Sequence, residues 1–276
     1  PPPRPPPSPP PSPPPPLPPH PPPSPPPPPA ASLLHAYTFD GSLVDKWGNN
    51  DLAAFGTSGS VTATFSLESK IGQSVRLTAS AGEYLSGTSP AIAGDTARSV
   101  ILWYRQTGAT AAKPLVSWGS DTYANAADKG IWEIALESDG TPRVAIKSLS
   151  SITGTSTSAL NTWYHLAVTY EAGAGEIFKD GVLETRITTL GTLATGVSGN
   201  LFVGRGLELS SARFDGFIDD LALFEFALSQ QEVTDVYTGG SPVRDIMWFF
   251  APQPPPSPPP PPSPCLLYTS DAADEE

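Results

Sequence analysis

Three kinds of side chain in this 276-residue sequence could do chemistry, and their spacing separates the options. The first are carboxylates. Glu133, Glu137 and Asp139 share parity, so on a strand they would project from one face. That is the placement two carboxylates need to work on a glycosidic bond, but Ala135 interrupts the series. The second are histidines. Only His20, His35 and His165 occur, and none adjoins a Ser or Cys nucleophile in sequence. His165 reads as a structural residue of its strand. The third are aromatic rings. A pyranose is held by an exposed ring to stack on, with planar polar groups for its hydroxyls. Trp118, Tyr123 and Trp132 lie at or beside the glycine-rich segment 118–130, where Asp121, Asn125 and Asp128 supply polar contacts. The segment is long enough to be a loop, and binding residues concentrate on loops held by rigid scaffolds. These six are the candidate carbohydrate-binding residues. Trp103 and Trp163 sit within strand-like segments and read as core.

The elements that must position them are short and β-rich. Strands are expected over 33–39, 61–65, 83–85, 99–106, 115–118, 131–137, 143–147, 164–170, 176–179, 182–188, 201–204 and 216–224, separated by Gly, Ser, Asn and Asp turns. About a dozen short strands imply an all-β, two-sheet antiparallel sandwich. In 164–170, Tyr164, Leu166, Val168 and Tyr170 alternate with smaller or polar residues, the period-two mark of one buried face. Ser229 and Glu232 form a capping box for one short helix running to about Tyr237.

Proline divides the chain. Residues 1–29 hold 23 of the 37 prolines and residues 252–264 hold 10, leaving a body of 30–240 and a segment 241–251 before the second tract. A body of this size can bury about 70% of its unfolded surface, enough for a core without disulfides. The apolar end of 241–251 is expected to be a closing strand rather than an exposed docking segment, because a free Trp-Phe-Phe cluster invites aggregation. The tracts, broken mainly by Ser-Pro, favour polyproline II. At ~3.1 Å per residue they would span roughly 90 Å and roughly 40 Å as stiff spacers. Their Ser-Pro-Pro-Pro repeats resemble the hydroxyproline-rich glycoproteins of plant and green-algal walls and matrices. That resemblance implies glycosylated rods on a secreted wall or matrix protein. No Asn-x-Ser/Thr sequon occurs, so sugar would sit on the rods. Residues 265–276, which carry the single cysteine Cys265, resemble a translated sequencing adapter and are left out of the fold reasoning. The chain begins at Pro1 rather than Met, the mark of a fragment.

Net charge is −12, and without the two ends the remainder still carries 14 basic against 23 acidic residues. Such a surface repels phosphate backbones, so nucleic acid is not an expected partner. No apolar run approaches the ~18 residues of a membrane span.

Four blocks in order carry a family resemblance: Ala36-Tyr-Thr-Phe-Asp-Gly41, Trp163-Tyr-His-Leu-Ala-Val-Thr-Tyr170, Lys179-Asp-Gly-Val182 and Phe214-Asp-Gly-Phe-Ile-Asp-Asp-Leu-Ala-Leu-Phe224 with the helix that follows. Together they resemble the LamG-like, concanavalin A-like jelly roll. The resemblance implies two curved sheets that in many relatives bind carbohydrate or protein. It also implies a structural calcium where the first strand meets the last, which places Asp40, Asp219 and Asp220 as its ligands. Calcium takes such carboxylate and carbonyl oxygens. Glucanases of this fold carry Glu-x-Asp-x-Glu on one strand. Here Ala135 stands where the middle acid is needed, and Asp215, Asp219 and Asp220 are wrongly spaced. A further likeness to pentraxins fails, because Ala167 replaces their paired cysteine and 204–208 lacks their acidic triplet.

The reading these observations support is a non-catalytic, lectin-like module that binds polysaccharide, glycoprotein glycans or matrix, carried on a secreted proline-rich protein. The alternative is an adhesion domain that binds an extracellular matrix protein; a glycoside hydrolase of the same fold comes third.

Overall fold

A computed structural model describes Pro1 and residues 33–108, 113–120, 130–146, 151–208 and 211–239. The proline tracts beyond Pro1, the 241–251 segment and the 265–276 tail lie outside the described residues, as do Asp121, Tyr123, Asn125 and Asp128.

Sixteen strands form among the described residues. The first eight are β1 (Leu33–Tyr37), β2 (Ala53–Gly56), β3 (Gly59–Ser60), β4 (Thr64–Ser66), β5 (Ser74–Leu77), β6 (Tyr84–Thr88), β7 (Arg98–Gln106) and β8 (Lys113–Gly119). The second eight are β9 (Ile131–Leu136), β10 (Pro142–Ile146), β11 (Ile152–Thr153), β12 (Tyr164–Glu171), β13 (Ala174–Lys179), β14 (Val182–Ile187), β15 (Asn200–Val203) and β16 (Gly216–Phe224). They make the expected two antiparallel sheets. The front sheet runs β11-β10-β9-β8-β15-β6-β2-β3, and the back sheet β14-β13-β12-β7-β16-β5-β4 with β1 also on β16. Between them the inward side chains form one core that includes Tyr37, Leu102, Tyr104, Trp118, Trp132, Tyr170 and Phe214.

The alternation in Tyr164–Glu171 has the consequence its pattern implies. Leu166, Val168 and Tyr170 enter the core between the sheets, whereas Ala167 joins a separate outer cluster with Leu33, Ile101, Phe178, Phe224 and the helix residues Val233 and Val236. That helix, α1 (Gln230–Gly239), covers the outer face of the back sheet, so all nine residues of β16 are buried although one of its faces points away from the core. Its start is the capping box. The Ser229 amide donates to Glu232 Oε2 at 2.7 Å, and the Glu232 amide donates back to Ser229 Oγ at 3.3 Å.

The strands depart from the sequence reading at several places, two of them at the start of the body. The strand expected over 61–65 is cut, because the chain changes sheets there: β3 pairs with β2 in the front sheet and β4 with β5 in the back one. β2 itself, Ala-Ala-Phe-Gly, has few β-favouring residues and forms through its partner β6. No described helix is long and apolar enough to cross a membrane.

Candidate functional site

Trp118 and Trp132 are core residues, which corrects the expectation that their rings stack on sugar. Both are 0% exposed. Their rings lie 6.1 Å apart, and Trp132 meets Tyr170 of the opposite sheet edge-on at 5.8 Å. The Arg98 guanidinium sits between the sheets, 5.3 Å from the Trp132 ring and 5.9 Å from Trp118. It is satisfied by the carbonyls of Thr96 and Gly94 and by Thr195 Oγ1, and burial lowers its pKa to about 10. The glycine-rich segment is pinned at its base, where Gly119 has φ +136 and a Cβ there would meet the Gly130 carbonyl at 2.1 Å.

The junction of first and last strands brings two of the three expected metal ligands together. β1 pairs with β16, and a bulge between Asp219 and Ala222 leaves Asp220 at φ 47. Asp219 Oδ2 accepts the amides of Lys70 and Ile71 at 2.9 and 3.0 Å, and Asp40 Oδ1 accepts that of Gln73 at 2.8 Å. Both carboxylates thus clasp the loop between β4 and β5. Gly72 must be glycine there, with φ +61 and room for a Cβ only 2.0 Å from Asp40 Oδ1. Asp219 is fully buried, and its Oδ1 has no hydrogen-bond partner among the described residues. Burial raises its pKa to about 7, with the charge of Asp40 adding and the amides of Ile71 and Lys70 opposing. An orphaned carboxylate oxygen repelled by a second carboxylate is chemically suited to a hard cation, so Asp40 and Asp219 fit the implied calcium. Asp220, buried in the bulge, is not brought into a ligand cluster with them. No group of three or more His, Cys, Asp or Glu able to hold a metal occurs among the described residues.

Asp219 also begins a row across the outer face of the back sheet, where it pairs with Trp103 and Trp103 with His165. Tyr237 of α1 lies over both rings at 5.8 Å, and Lys70 Nζ stands 4.2 Å from the Trp103 ring. Neither ring nitrogen of His165 has a hydrogen-bond partner among the described residues, and burial followed by the charge of Lys70 lowers its pKa to about 3. His165 is therefore a neutral packing residue.

The acidic strand has a structural occupation too. Glu133 Oε2 accepts the amides of Leu207 and Glu208 at 2.6 and 2.8 Å, and burial raises its pKa against those two bonds. Glu137 lies 3.3 Å from Arg143, and Asp139 accepts the Thr141 amide.

What Glu133 holds crosses a partly exposed surface of the front sheet. The chain after β15 crosses the outer face of the front sheet as a strap, whose described residues are 204–208 and 211–214. Ser117 Oγ donates to the Arg205 carbonyl at 2.8 Å, Glu133 takes the amides of Leu207 and Glu208, and Arg205 and Arg213 bridge to close the strap at its base. Both guanidiniums come to 5.1 Å from the ring of half-buried Tyr84, and Arg205 to 4.4 Å from Phe202. Phe55 on β2 lies parallel to Tyr84 at 5.4 Å. This is an aromatic platform edged by planar cations, a surface suited to a sugar ring and its polar substituents. Sequence reasoning missed it because its members come from β2, β6 and two ends of a strap, with no local spacing to reveal them. The one local signal is Tyr84, whose neighbour Leu85 enters the core and so turns the ring outward. A cavity of about 500 Å³ lies at the back-sheet edge against Thr169, Glu171, Glu176, Leu183 and Gln230.

Residues 78–234 match the laminin G 3 family, described as the concanavalin A-like lectin/glucanases superfamily. The chain belongs to this superfamily. No curated protein sequence matches it significantly. Among solved structures this concanavalin A-like chain is similar to domain 4 of AbnA, a GH43 extracellular arabinanase from Geobacillus stearothermophilus solved in complex with arabinotriose. The TM-score is 0.61 at 22% identity, covering 75% of this chain and 99% of that one. It is also similar to the receptor-binding domain of botulinum neurotoxin type G, with a TM-score of 0.56 at 15% identity, covering 75% and 51%. A botulinum neurotoxin type C structure, described as showing cell entry dependent on two ganglioside molecules, gives 0.56 at 12% identity, covering 76% and 51%. This chain spans about half the length of those toxin domains. At these identities the likeness is one of fold.

Proposed function

We propose that the chain is a non-catalytic carbohydrate-binding module of a secreted, proline-rich wall or matrix protein. The observation that carries this reading is the half-buried Tyr84, stacked on Phe55 and flanked by Arg205 and Arg213 on the open face of the front sheet. Two similar folds add support, since their descriptions tie them to arabinotriose and to gangliosides. The Ser-Pro tracts support the extracellular setting by their resemblance to matrix glycoproteins. Glu133 and Glu137, occupied by the strap amides and by Arg143, favour a binding role over a hydrolytic one.

We further propose that Asp40 and Asp219 hold a structural calcium ion, which would fix the loop between β4 and β5 without touching the sugar. A glycan and polysaccharide array probed with the full chain, with calcium and again with EDTA, tests both ideas. Binding to a defined glycan is expected, and Tyr84→Ala should weaken it about tenfold, the scale of one lost stacking contact, with the melting temperature kept. A blank array would overturn the carbohydrate reading in favour of a protein-binding adhesion domain. That second reading has its own observation: the cavity of about 500 Å³ lies beside the edge strand β14, where Val182 is 66% exposed.

A further inference from the structure

On the outer face of the back sheet, α1 packs on Ile101, Ala167 and Phe224 through Val233 and Val236, and its Tyr237 reaches the row of Trp103 and His165. The next row along the strands lies beyond that ring. It runs Arg76, Phe217, Arg105, Trp163: Phe217 pairs with Arg76 of β5 on one side and with Arg105 of β7 on the other, and Trp163 leads into β12. Cations and rings alternate along it. The Arg76 guanidinium stands 5.1 Å from the Phe217 ring, and that of Arg105 stands 4.4 Å from Phe217 and 5.8 Å from Trp163. The two rings lie 6.4 Å apart at 53°. Trp163 is only half-buried, whereas Trp103 in the covered row is 2% exposed. Two exposed leucines adjoin the row in sequence: Leu67, next to the Glu68 that bonds Arg105, and Leu160, three residues before Trp163.

Each cation of this row has its acid, Arg76 with Asp215 at 2.7 Å and Arg105 with Glu68. The row therefore offers rings and donors with no net charge, and selects neither a polyanion nor a polycation. Among the described residues Arg105 donates one side-chain hydrogen bond, to Glu68, and its Nε has no partner. A guanidinium has five N–H groups and an indole one, so donors remain here for an uncharged acceptor. A proline tract is the complement of such a surface. It carries a carbonyl acceptor at every residue, no N–H at its prolines, and flat apolar rings that lie on aromatic ones. As a preformed polyproline II helix it also loses little conformational entropy on docking, which is why aromatic-lined grooves recognise it. The chain itself holds such a tract, with residues 254–264 made of proline and serine alone.

We propose that the row from Arg76 to Trp163 binds a polyproline II segment, and that its occupant is the tract 252–264 of a second copy of this chain. A stiff rod does not curl back on the body it leaves, but it presents its length to the next one. Because tract and row are different surfaces, the contact does not close on itself, and copies join head to tail into chains that lengthen with concentration. Sugar on the tract would keep its prolines off the rings, so the contact belongs to the unglycosylated tract. It lies on the sheet opposite Tyr84 and is independent of the saccharide site.

The test is sedimentation velocity of the full, unglycosylated chain at rising concentration, with and without a synthetic peptide of residues 254–264. The average mass is expected to rise with concentration, and excess peptide to return it to that of the monomer. Trp163→Ala should weaken the association about tenfold, the scale of one lost stacking contact, while glycan binding is kept. Trp163→Phe, which keeps a ring and loses the N–H, should fall between. Raising salt from about 0.1 M to about 1 M should leave the association unchanged, since an uncharged tract has nothing to screen. Arg105→Gln gives a second variant on the same row, and the peptide competition needs no variant at all. A constant monomer mass at every concentration would overturn the proposal, as would an association that the peptide does not compete or that salt dissolves. Association unchanged in both Trp163→Ala and Arg105→Gln would place the contact elsewhere. Peptide binding to a chain that stays monomeric would overturn the second copy as occupant, and a loss of glycan binding in Trp163→Ala without self-association of the wild type would give the row to sugar instead.

Discussion

The two outer faces of the sandwich use similar residues to opposite ends. On the back sheet, Asp219, Trp103 and His165 form a row of polar and aromatic groups that α1 covers through Tyr237, leaving all three buried. On the front sheet, Tyr84, Phe55 and two arginines form a comparable set, but what crosses that face is a strap pinned by backbone bonds, and the rings and guanidiniums stay half open. Residue type does not distinguish a binding surface from a packing surface here. The covering element does: a helix with an apolar stripe excludes water, whereas a strap held by its amides leaves the neighbouring side chains accessible.

The contrast between inward and outward aromatics can be broken most sharply at Trp132. Trp132→Ala is expected to destabilise the protein by about 3–5 kcal/mol, as large-to-small changes in a packed core do. Urea unfolding measures this, whereas Tyr84→Ala should leave the urea midpoint nearly unmoved. A small effect at Trp132 would mean that its ring is not part of the core.

The back-sheet row is tested by pH. Asp219 has a folded pKa of about 7 against an ordinary 3.8, so its protonation contributes stability that is present below pH 4 and lost as pH rises through 7. His165, at about 3 against 6.5, has the opposite sign, and its contribution is lost as pH falls from 6.5 through 3. The two offset each other in the intervening range. In EDTA, Asp219→Asn should therefore gain on the wild type between pH 4 and 7, by up to about 4 kcal/mol, and become the more acid-sensitive protein. Calcium should raise the melting temperature of the wild type at pH 7.5 and not that of the variant. Parallel pH profiles for the two proteins would refute the buried, proton-binding Asp219.

The smallest effect is expected at the helix that makes the difference between the faces. Ser229→Ala removes the capping box of α1 and should cost about 1 kcal/mol. Thermal unfolding reads that loss, and glycan affinity should be unchanged because the cap lies on the other face.

Much of this was legible in the residues, and the failures have physical causes. Period-two alternation in Tyr164–Glu171 and the Ser229–Glu232 box identified a strand and a helix whose structures match them. The first and last strands met where the Phe-Asp-Gly blocks indicated, and Asp40 and Asp219 came together. Trp132 turns into the core against the expectation of a sugar contact, although the residues around it indicate as much. In Ile-Trp-Glu-Ile-Ala-Leu the single charged residue, Glu133, marks the outer face, so Trp132 at opposite parity must point inward. Ser117 and Trp118 repeat the lesson one strand away. The arginine site was not legible in this way. Arg205 meets Tyr84 only because β15 and β6 are neighbours, and strand order is a property of the whole sheet rather than of any window of sequence.

The pairing of β1 with β16 has a mechanical consequence. Leu33 lies opposite Phe224 and Tyr37 opposite Leu221, so the chain enters the body and finishes its last strand at the same end of one antiparallel ladder. Tension drawn through the segments on either side would load that ladder at its end, peeling hydrogen bonds apart one after another instead of shearing them together. The apolar contacts of α1 over Leu33 and Phe224 would be the first to yield. In a scaffold under strain, such a domain gives way by degrees from its seam, while the strap and its arginines on the opposite sheet keep their shape.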